Sequence, residues 1–561
     1  MSPVTLLYKV FHKNFEMPLP KKGVKHSLYT SLGLIAVFCI MLPCCIITGY
    51  LSYVMSLAMM VEGGSAGGII SELHIIAAFS MVLGMPVIFN VLFFSADREH
   101  LSTLPIKSWQ LLAARFRHTF VAESVMEFLL LFSIFCGFFV AAFENGGAAQ
   151  ALHPVSLVAA IIGTATTPLL PLVYCSVLSL ILMAVLKKVR SAKTFYLSST
   201  VLLIFFIALF VFAFKDMGGI TMENYVSSMA DESNLFLRIC NVIFFTTPLL
   251  CRAVSDHSLS MLLLYCAGNI AALALMLFLG RFLYREGLYT AAALGGSKKS
   301  SSRELLNRKL KQSSAPLSCF CKECRILLRT RAYASNCVFI NFLWPVGLLV
   351  FFHITEENET IQSFLNYCRE GNERARLILF MVMILISFIA PAMNSLAATA
   401  FTREGSHVDM VNYIPLSHRT QLLVKGAVSV LLTAPFLILS VIVLAVCTAL
   451  PLLDVFLYCF LSLAALILVT ILGLGLDSAS PHTLWSDEYS ALRGNLNSFF
   501  NMAAMLVTGL LFGGLAFLLY ELAGLPLSLV RLIILILLPL LDLLAWLKGR
   551  KLIAANMENL F

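Results

Sequence analysis

The chain is a string of apolar runs, each about twenty or more residues long, separated by short polar stretches. A helix of that length crosses the hydrocarbon core of a bilayer, and in lipid only helices and closed barrels satisfy their own backbone groups. The runs lie near residues 30–53, 73–94, 119–143, 155–186, 195–214, 260–283, 336–354, 377–401, 427–449, 454–476, 498–520 and 527–547, which predicts about twelve transmembrane helices. Composition points the same way: 60% of residues are hydrophobic and 12% charged, whereas soluble domains carry about a quarter charged residues. The expected fold class is an all-α integral membrane protein. The run at 155–186 is long and holds Pro168 and Pro171, so it is expected to be kinked or broken. The polar stretch before Leu28 and the length of the run after it do not fit a cleavable signal.

Basic residues set the expected orientation. With both termini inside, 32 of the 39 Lys and Arg residues fall in cytoplasmic segments, namely 1–29, 95–118, 187–193, 281–335, 402–425, 477–497 and 548–561. Seven fall outside: Lys215, Arg238, Arg252, Arg369, Arg374, Arg376 and Arg531. That asymmetry follows the positive-inside rule, so the net charge of +9 needs no nucleic-acid partner. Two outside loops exceed tight turns. Residues 215–259 contain an apolar stretch, Ile239–Leu250, that reads as a short interfacial or re-entrant helix, and 355–376 opens with Glu356, Glu357 and Glu359.

A polar phrase occurs twice, each time just after an apolar run. The first copy is Ser95-Ala96-Asp97-Arg98-Glu99-His100-Leu101, then Leu104-Pro105-Ile106, then Gln110-Leu111-Leu112 and Arg115. The second is Thr402-Arg403-Glu404-Gly405-Ser406-His407-Val408, then Ile414-Pro415-Leu416, then Gln421-Leu422-Leu423 and Lys425. Each half also opens with a segment mixing basic and apolar residues, Leu6–Lys13 in the first and Lys322-Glu323-Cys324-Arg325 through Arg329 in the second. Such segments read as helices lying on the inner interface. The expected organisation is therefore two pseudo-repeated six-helix halves, 1–290 and 319–561, each preceded by an amphipathic interfacial helix, with a flexible basic linker at 291–318. Pro is favoured in a first helical turn, so Pro105 and Pro415 are expected to start helices running into the third and ninth spans. Asp97, Arg98, Glu99, Arg403 and Glu404 are expected to contact a partner through charge-assisted bonds.

The longest segment outside the membrane is about 50 residues, too short for an enzyme domain, and there is no G-x-x-x-x-G-K-[ST], H-E-x-x-H or G-x-S-x-G motif. The chain is therefore expected to have no catalytic residues or ATPase site of its own. Many of its fifteen cysteines lie inside apolar runs as small hydrophobes. Cys319, Cys321 and Cys324 lack the second C-x-x-C or nearby His of a structural zinc site, so no metal site is expected. Glu123 and Glu127 share one face of the third span, and Glu127, the deeper of the two, is the candidate pathway residue. Asn90, Asn269 and Asn394 are read as interhelical hydrogen-bonding groups.

The chain resembles the membrane subunits of ATP-binding-cassette exporters of the ABC-2 type, in the tandem form with both six-helix halves in one chain. Four places carry the resemblance: Lys322-Glu323 with Leu327-Leu328-Arg329-Thr330; Asp97-Arg98-Glu99 with Leu104-Pro105-Ile106; Thr402-Arg403-Glu404-Gly405 with Ile414-Pro415-Leu416; and Asp477, Pro481, Leu484-Trp485, Glu488 and Asn495 after the tenth span. The first half departs from the pattern at the place of the Trp485 loop, where it has Lys187-Lys188-Val189-Arg190. The resemblance implies a permease without its own ATPase, whose loops at 97–105 and 403–415 dock two cytosolic nucleotide-binding subunits carrying ATP and Mg²⁺. It implies export of a substrate that the sequence does not identify, across a bacterial cell membrane. An ion- or proton-coupled secondary transporter with duplicated halves is the alternative, and it would place acidic residues such as Glu127 along its path.

Overall fold

The computed structural model describes residues 3–14, 26–61, 67–93, 105–185, 201, 204–205, 208, 235–295, 314–355, 359–483, 485, 488–493 and 495–558. These residues are mostly helical, with no strand among them. The helices are α1 (Pro3–Asn14), α2 (His26–Val61), α3 (Gly67–Phe93), α4 (Ser108–Ala151), α5 (Pro154–Thr166), α6 (Leu169–Val185), α7 (Leu235–Ile243), α8 (Thr246–Ser255) and α9 (Leu259–Gly295). They continue as α10 (Ala315–Arg329), α11 (Leu343–Ile354), α12 (Glu359–Glu370), α13 (Glu373–Met393), α14 (His418–Thr448), α15 (Leu452–Ala479), α16 (Leu496–Glu521) and α17 (Leu527–Glu558). Among the described residues, eleven spans are long and apolar enough to cross a membrane, and a bent helix pair would make twelve. The protein is an all-α integral membrane protein.

The chain forms two compact units, residues 1–13 with 41–309 and residues 14–40 with 310–561. In the first, α3, α4, α6 and α9 pack on one another around Phe89, Phe93, Leu112, Leu172 and Tyr284. The expected break in 155–186 falls at Thr167-Pro168, between α5 and α6, where Pro168 removes a backbone donor. The apolar stretch at 239–250 forms parts of α7 and α8, which meet at a bend of 104°. The fifth expected span, 195–214, lies almost wholly outside the described residues, as does most of the linker at 291–318.

Small residues set how closely α2 and α4 approach. A Cβ on Gly137 would stand 2.2 Å from the Gly49 carbonyl oxygen, and one on Gly49 would stand 2.6 Å from Ser133 Oγ. Ser52 Oγ donates to the Ile134 carbonyl at 2.8 Å, and Ser133 donates to the Cys45 carbonyl. Close approach with hydroxyl-to-carbonyl bonds is the usual glue between helices in lipid, where burial of apolar surface drives nothing.

In the second unit, α13, α15, α16 and α17 enclose a core of Phe380, Phe388, Tyr458, Met505, Phe512, Ile534 and Leu538. The seventh span is not one regular helix: a π turn at Ala334–Val338 and a 3-10 turn at Phe339–Phe342 precede α11. The eighth ends at Met393 and not near 401 as the apolar pattern predicts. Apolar composition continues past the helix, but Asn394 caps it and Ser395 adopts a left-handed φ of 53°.

Gly137→Ala is expected to destabilise the first unit by about 1–3 kcal/mol through overpacking against backbone. Gly347→Ala meets nothing within 4 Å and is expected to cost nothing. Melting of the two purified variants in the same detergent checks this, and equal melting temperatures would refute the close α2–α4 crossing.

Candidate functional site

Past Met393 the second unit has a backbone problem. Residues 395–407 run as turns and a short 3-10 helix, Thr402–His407, which leaves peptide groups without helical partners. Such groups are costly when buried. Asn394 begins the solution: its Oδ1 accepts from Leu396 N–H at 2.9 Å, and its Nδ2 donates to Asn341 Oδ1 and Thr433 Oγ1 at 3.0 and 2.8 Å. Those last two bonds tie three helical segments together, as expected for Asn394. Asn269, in contrast, donates to Tyr265 within its own helix.

Side chains from three distant segments then satisfy the irregular stretch. Arg403 Nη1 donates to the Leu396 carbonyl and Thr399 Oγ1, both at 2.7 Å, and Lys425 Nζ of α14 donates to the Ala400 carbonyl at 2.9 Å. Asp477, near the end of α15, accepts from Phe401 N–H at 2.6 Å, Thr402 N–H at 3.1 Å and Thr402 Oγ1 at 2.6 Å. Asn495 Nδ2 and His482 N–H reach Thr402 Oγ1 at 3.0 Å, and Trp485 Nε1 donates to the Thr402 carbonyl at 2.9 Å. Gly405 is required where it stands, because its φ is +59° and a Cβ would lie 2.8 Å from the Trp485 ring.

The same charges pair with α10. Lys425 Nζ lies 2.6 Å from Glu323 and 3.0 Å from Glu404, Lys322 Nζ lies 2.8 Å from Glu404, and Arg403 lies 4.0 Å from Glu323. The side chains of Lys425 and Glu323 are each only 2% exposed. Burial by itself would raise the Glu404 carboxyl, but the Lys425 and Lys322 ammonium groups overcome that and bring it down to about 2. A buried group of this kind holds only while every partner is present.

Three of the sequence signals, the Lys322-Glu323 pair, the Arg403-Glu404-Gly405 turn and the Asp477–Trp485 loop, therefore form one cluster. Its geometry differs from the expectation in two respects. Arg403 and Glu404 spend their charge inside the protein and do not point outward. Pro415 does not start α14, whose cap is Ser417, accepting from Thr420 N–H at 3.2 Å. Pro415 instead holds Ile414 extended at φ −70° and ψ 127°, ending the short helix Met410–Tyr413. Pro105 likewise precedes α4, which begins at Ser108. The outer surface of the loop is His407, Asp409, Met410, Tyr413 (74% exposed), Pro415 and Arg419. Arg325, Arg329 and Glu488 are exposed, and Pro481 is partly buried.

In the first copy, Asp97, Arg98, Glu99 and Leu104 lie outside the described residues, as does Lys187–Arg190. Its Arg115 is buried and donates to the Leu92 and Val91 carbonyls at 2.7 and 3.1 Å, at the end of α3. Arg115 thus binds the carbonyl end of α3, which is where a helix terminus is negative, whereas in the second unit Lys425 binds the Ala400 carbonyl in the turn beyond α13. Glu127 is partly buried within α4. No group of three or more His, Cys, Asp or Glu residues is placed to hold a metal among the described residues, Cys319, Cys321 and Cys324 included. In the sequence, Thr402 and Lys425 stand out only as parts of the repeated phrase, the first beside Arg403 and the second at the head of an apolar span. Comparison with known protein families and with curated proteins gives no match.

Lys425→Met is expected to leave Glu323 and Glu404 facing each other buried and to cost about 3–5 kcal/mol. Lys322→Met, at a side chain 39% exposed, is expected to cost under about 1 kcal/mol. Melting in detergent separates the two, and similar losses would refute the ranking. Because the Glu404 carboxyl is lowered on folding, its contribution is complete above about pH 4.5 and is lost as pH falls toward about 2. Glu404→Gln is therefore expected to flatten the acid limb of a stability–pH curve over that window.

Proposed function

We propose that this chain is the membrane permease of an ATP-driven exporter of the ABC-2 type, working with separate cytosolic ATPase subunits that bind ATP and Mg²⁺. The observation that supports the reading is the convergence of the family-like segments of the second half on one polar end of the unit. There the α10 helix, the 402–407 turn and the 477–495 loop brace a protruding loop at 406–419. A braced loop can pass a push from a docked subunit into α13 and α14, because its base is bonded to both. On this reading the buried charges stiffen the loop, and Met410, Tyr413, Asp409 and Arg419 meet the ATPase.

The proposed orientation puts this end in the cytoplasm of a bacterial cell, with both termini inside. The segments assigned to the opposite side do meet at the other end of the second unit: Arg374 pairs with Glu521 at 3.3 Å, and Arg369 donates to the Cys447 carbonyl at 3.0 Å. A secondary transporter remains the second reading, favoured by buried carboxyl groups in the first unit.

Purification of the tagged full chain from its native membrane, with crosslinking, is expected to bring down an ATP-hydrolysing partner. Met410→Asp with Tyr413→Asp is expected to abolish that association while leaving membrane insertion and melting unchanged. Recovery of the partner in undiminished amount with the double variant would overturn the docking surface, and recovery of no ATPase from the crosslinked wild type would overturn the exporter reading.

A further inference from the structure

A second set of buried polar groups lies in the first unit, along the seam of α2, α3 and α4. Glu72 of α3 is 6% exposed, and neither carboxylate oxygen has a hydrogen-bond partner. The Ser52 hydroxyl of α2 faces it while donating to the Ile134 carbonyl of α4. One turn along α2, the buried Ser56 hydroxyl also lacks a partner, where α2 lies against Gly68. Eight residues further along α3, about 12 Å down the helix, the buried and unpartnered Ser80 hydroxyl faces Glu127 of α4. One Glu127 carboxylate oxygen is likewise buried without a partner. Glu72 and Glu127 thus stand at two levels of one seam.

No described Lys, Arg or His forms an ion pair with either carboxyl. The titratable neighbours are few. The Cys175 thiol of α6 faces Glu127. His74 lies two positions from Glu72, on the other side of α3, where its Nε2 bonds Asn241 Oδ1 of α7 at 2.7 Å. Glu123 has interactions of its own. An unpaired carboxylate anion at such depth is expensive, and the inexpensive remedy is a bound proton. A dehydrated metal ion wants about six oxygen ligands, whereas each level presents one carboxyl with one facing hydroxyl.

At the matching positions the second half has no carboxyl. Matching Ser95 to Thr402 carries Glu72 onto Leu379 and His74 onto Met381, and matching Gln110 to Gln421 carries Glu127 onto Ile438. The carboxyls are therefore not a requirement of the repeated fold. We propose that Glu72 and Glu127 are proton-binding groups, which makes the α2–α3–α4 seam a site of proton uptake and release within the first unit. This proposal does not rest on the ATPase-docking reading.

The test is to treat the folded full-length protein with dicyclohexylcarbodiimide, an apolar reagent that adds to protonated carboxyl groups shielded from water, and to map adducts by peptide mass spectrometry. Adducts are expected on both Glu72 and Glu127 near neutral pH, decreasing as pH rises because only the acid form reacts. Each is expected to be lost in Glu72→Gln or Glu127→Gln, while a water-soluble carbodiimide labels neither. Wild-type labelling decides the matter even where a variant fails to fold. No adduct on either residue, equal labelling by the water-soluble reagent, or protection by Na⁺ or K⁺ at constant pH would each overturn the proposal.

Discussion

The second unit depends on satisfying the backbone of residues 395–402 where α13 stops. A helix satisfies its own peptide groups, and a chain that leaves the helix at the end of a membrane span must find partners elsewhere. Arg403, Lys425, Asp477 and Asn495 supply them directly. Because those residues come from the turn itself, α14, the end of α15 and the loop before α16, meeting the backbone's need also fixes how those elements join. Charge neutrality then recruits α10, since two buried cations beside carbonyl groups need carboxylates, and Glu323 and Glu404 provide them. One local irregularity thus organises one whole end of the unit.

The two units treat ionisable groups differently. In the second, the α10 cluster and Arg531 with Asp454 at 2.7 Å set buried charges at bonding distance from opposite charges, while Asp477 rests on backbone and hydroxyl donors and Asp542 is buried with one oxygen unpartnered. In the first, Arg115 neutralises a helix end through carbonyl groups, while Glu72 and Glu127 sit in the seam without cations. The shape of each unit rests on apolar packing and small-residue contacts, which leaves single polar positions free to take on separate tasks. The paired charges suit a rigid brace, and the unpaired carboxyls suit proton exchange.

Much of the span pattern was legible because hydrophobic length is a local property. Eleven of the twelve expected runs appear as membrane-length segments, and the break at Pro168 and the bent pair at 235–255 follow from proline chemistry and from an apolar stretch too short to cross. Span ends were less legible. Glu72 escapes the apolar pattern, whose run begins at 73, whereas α3 begins at Gly67 and carries the residue inside. The end of α13 was overestimated for the converse reason, as Leu396–Phe401 is apolar but not helical.

By itself the sequence determined the membrane class, most of the span pattern and the residue types at the polar turns. These follow from composition, run length and spacing, which one segment carries without reference to another. Only the tertiary structure decided where the charges point. Arg403 and Glu404 look like surface charges in a polar loop, and nothing in their own segment tells that Lys425, Glu323 and Asp477 close around them. Electrostatic pairing depends on distances of a few ångströms between residues tens to a hundred positions apart, and those distances exist only once the helices have packed.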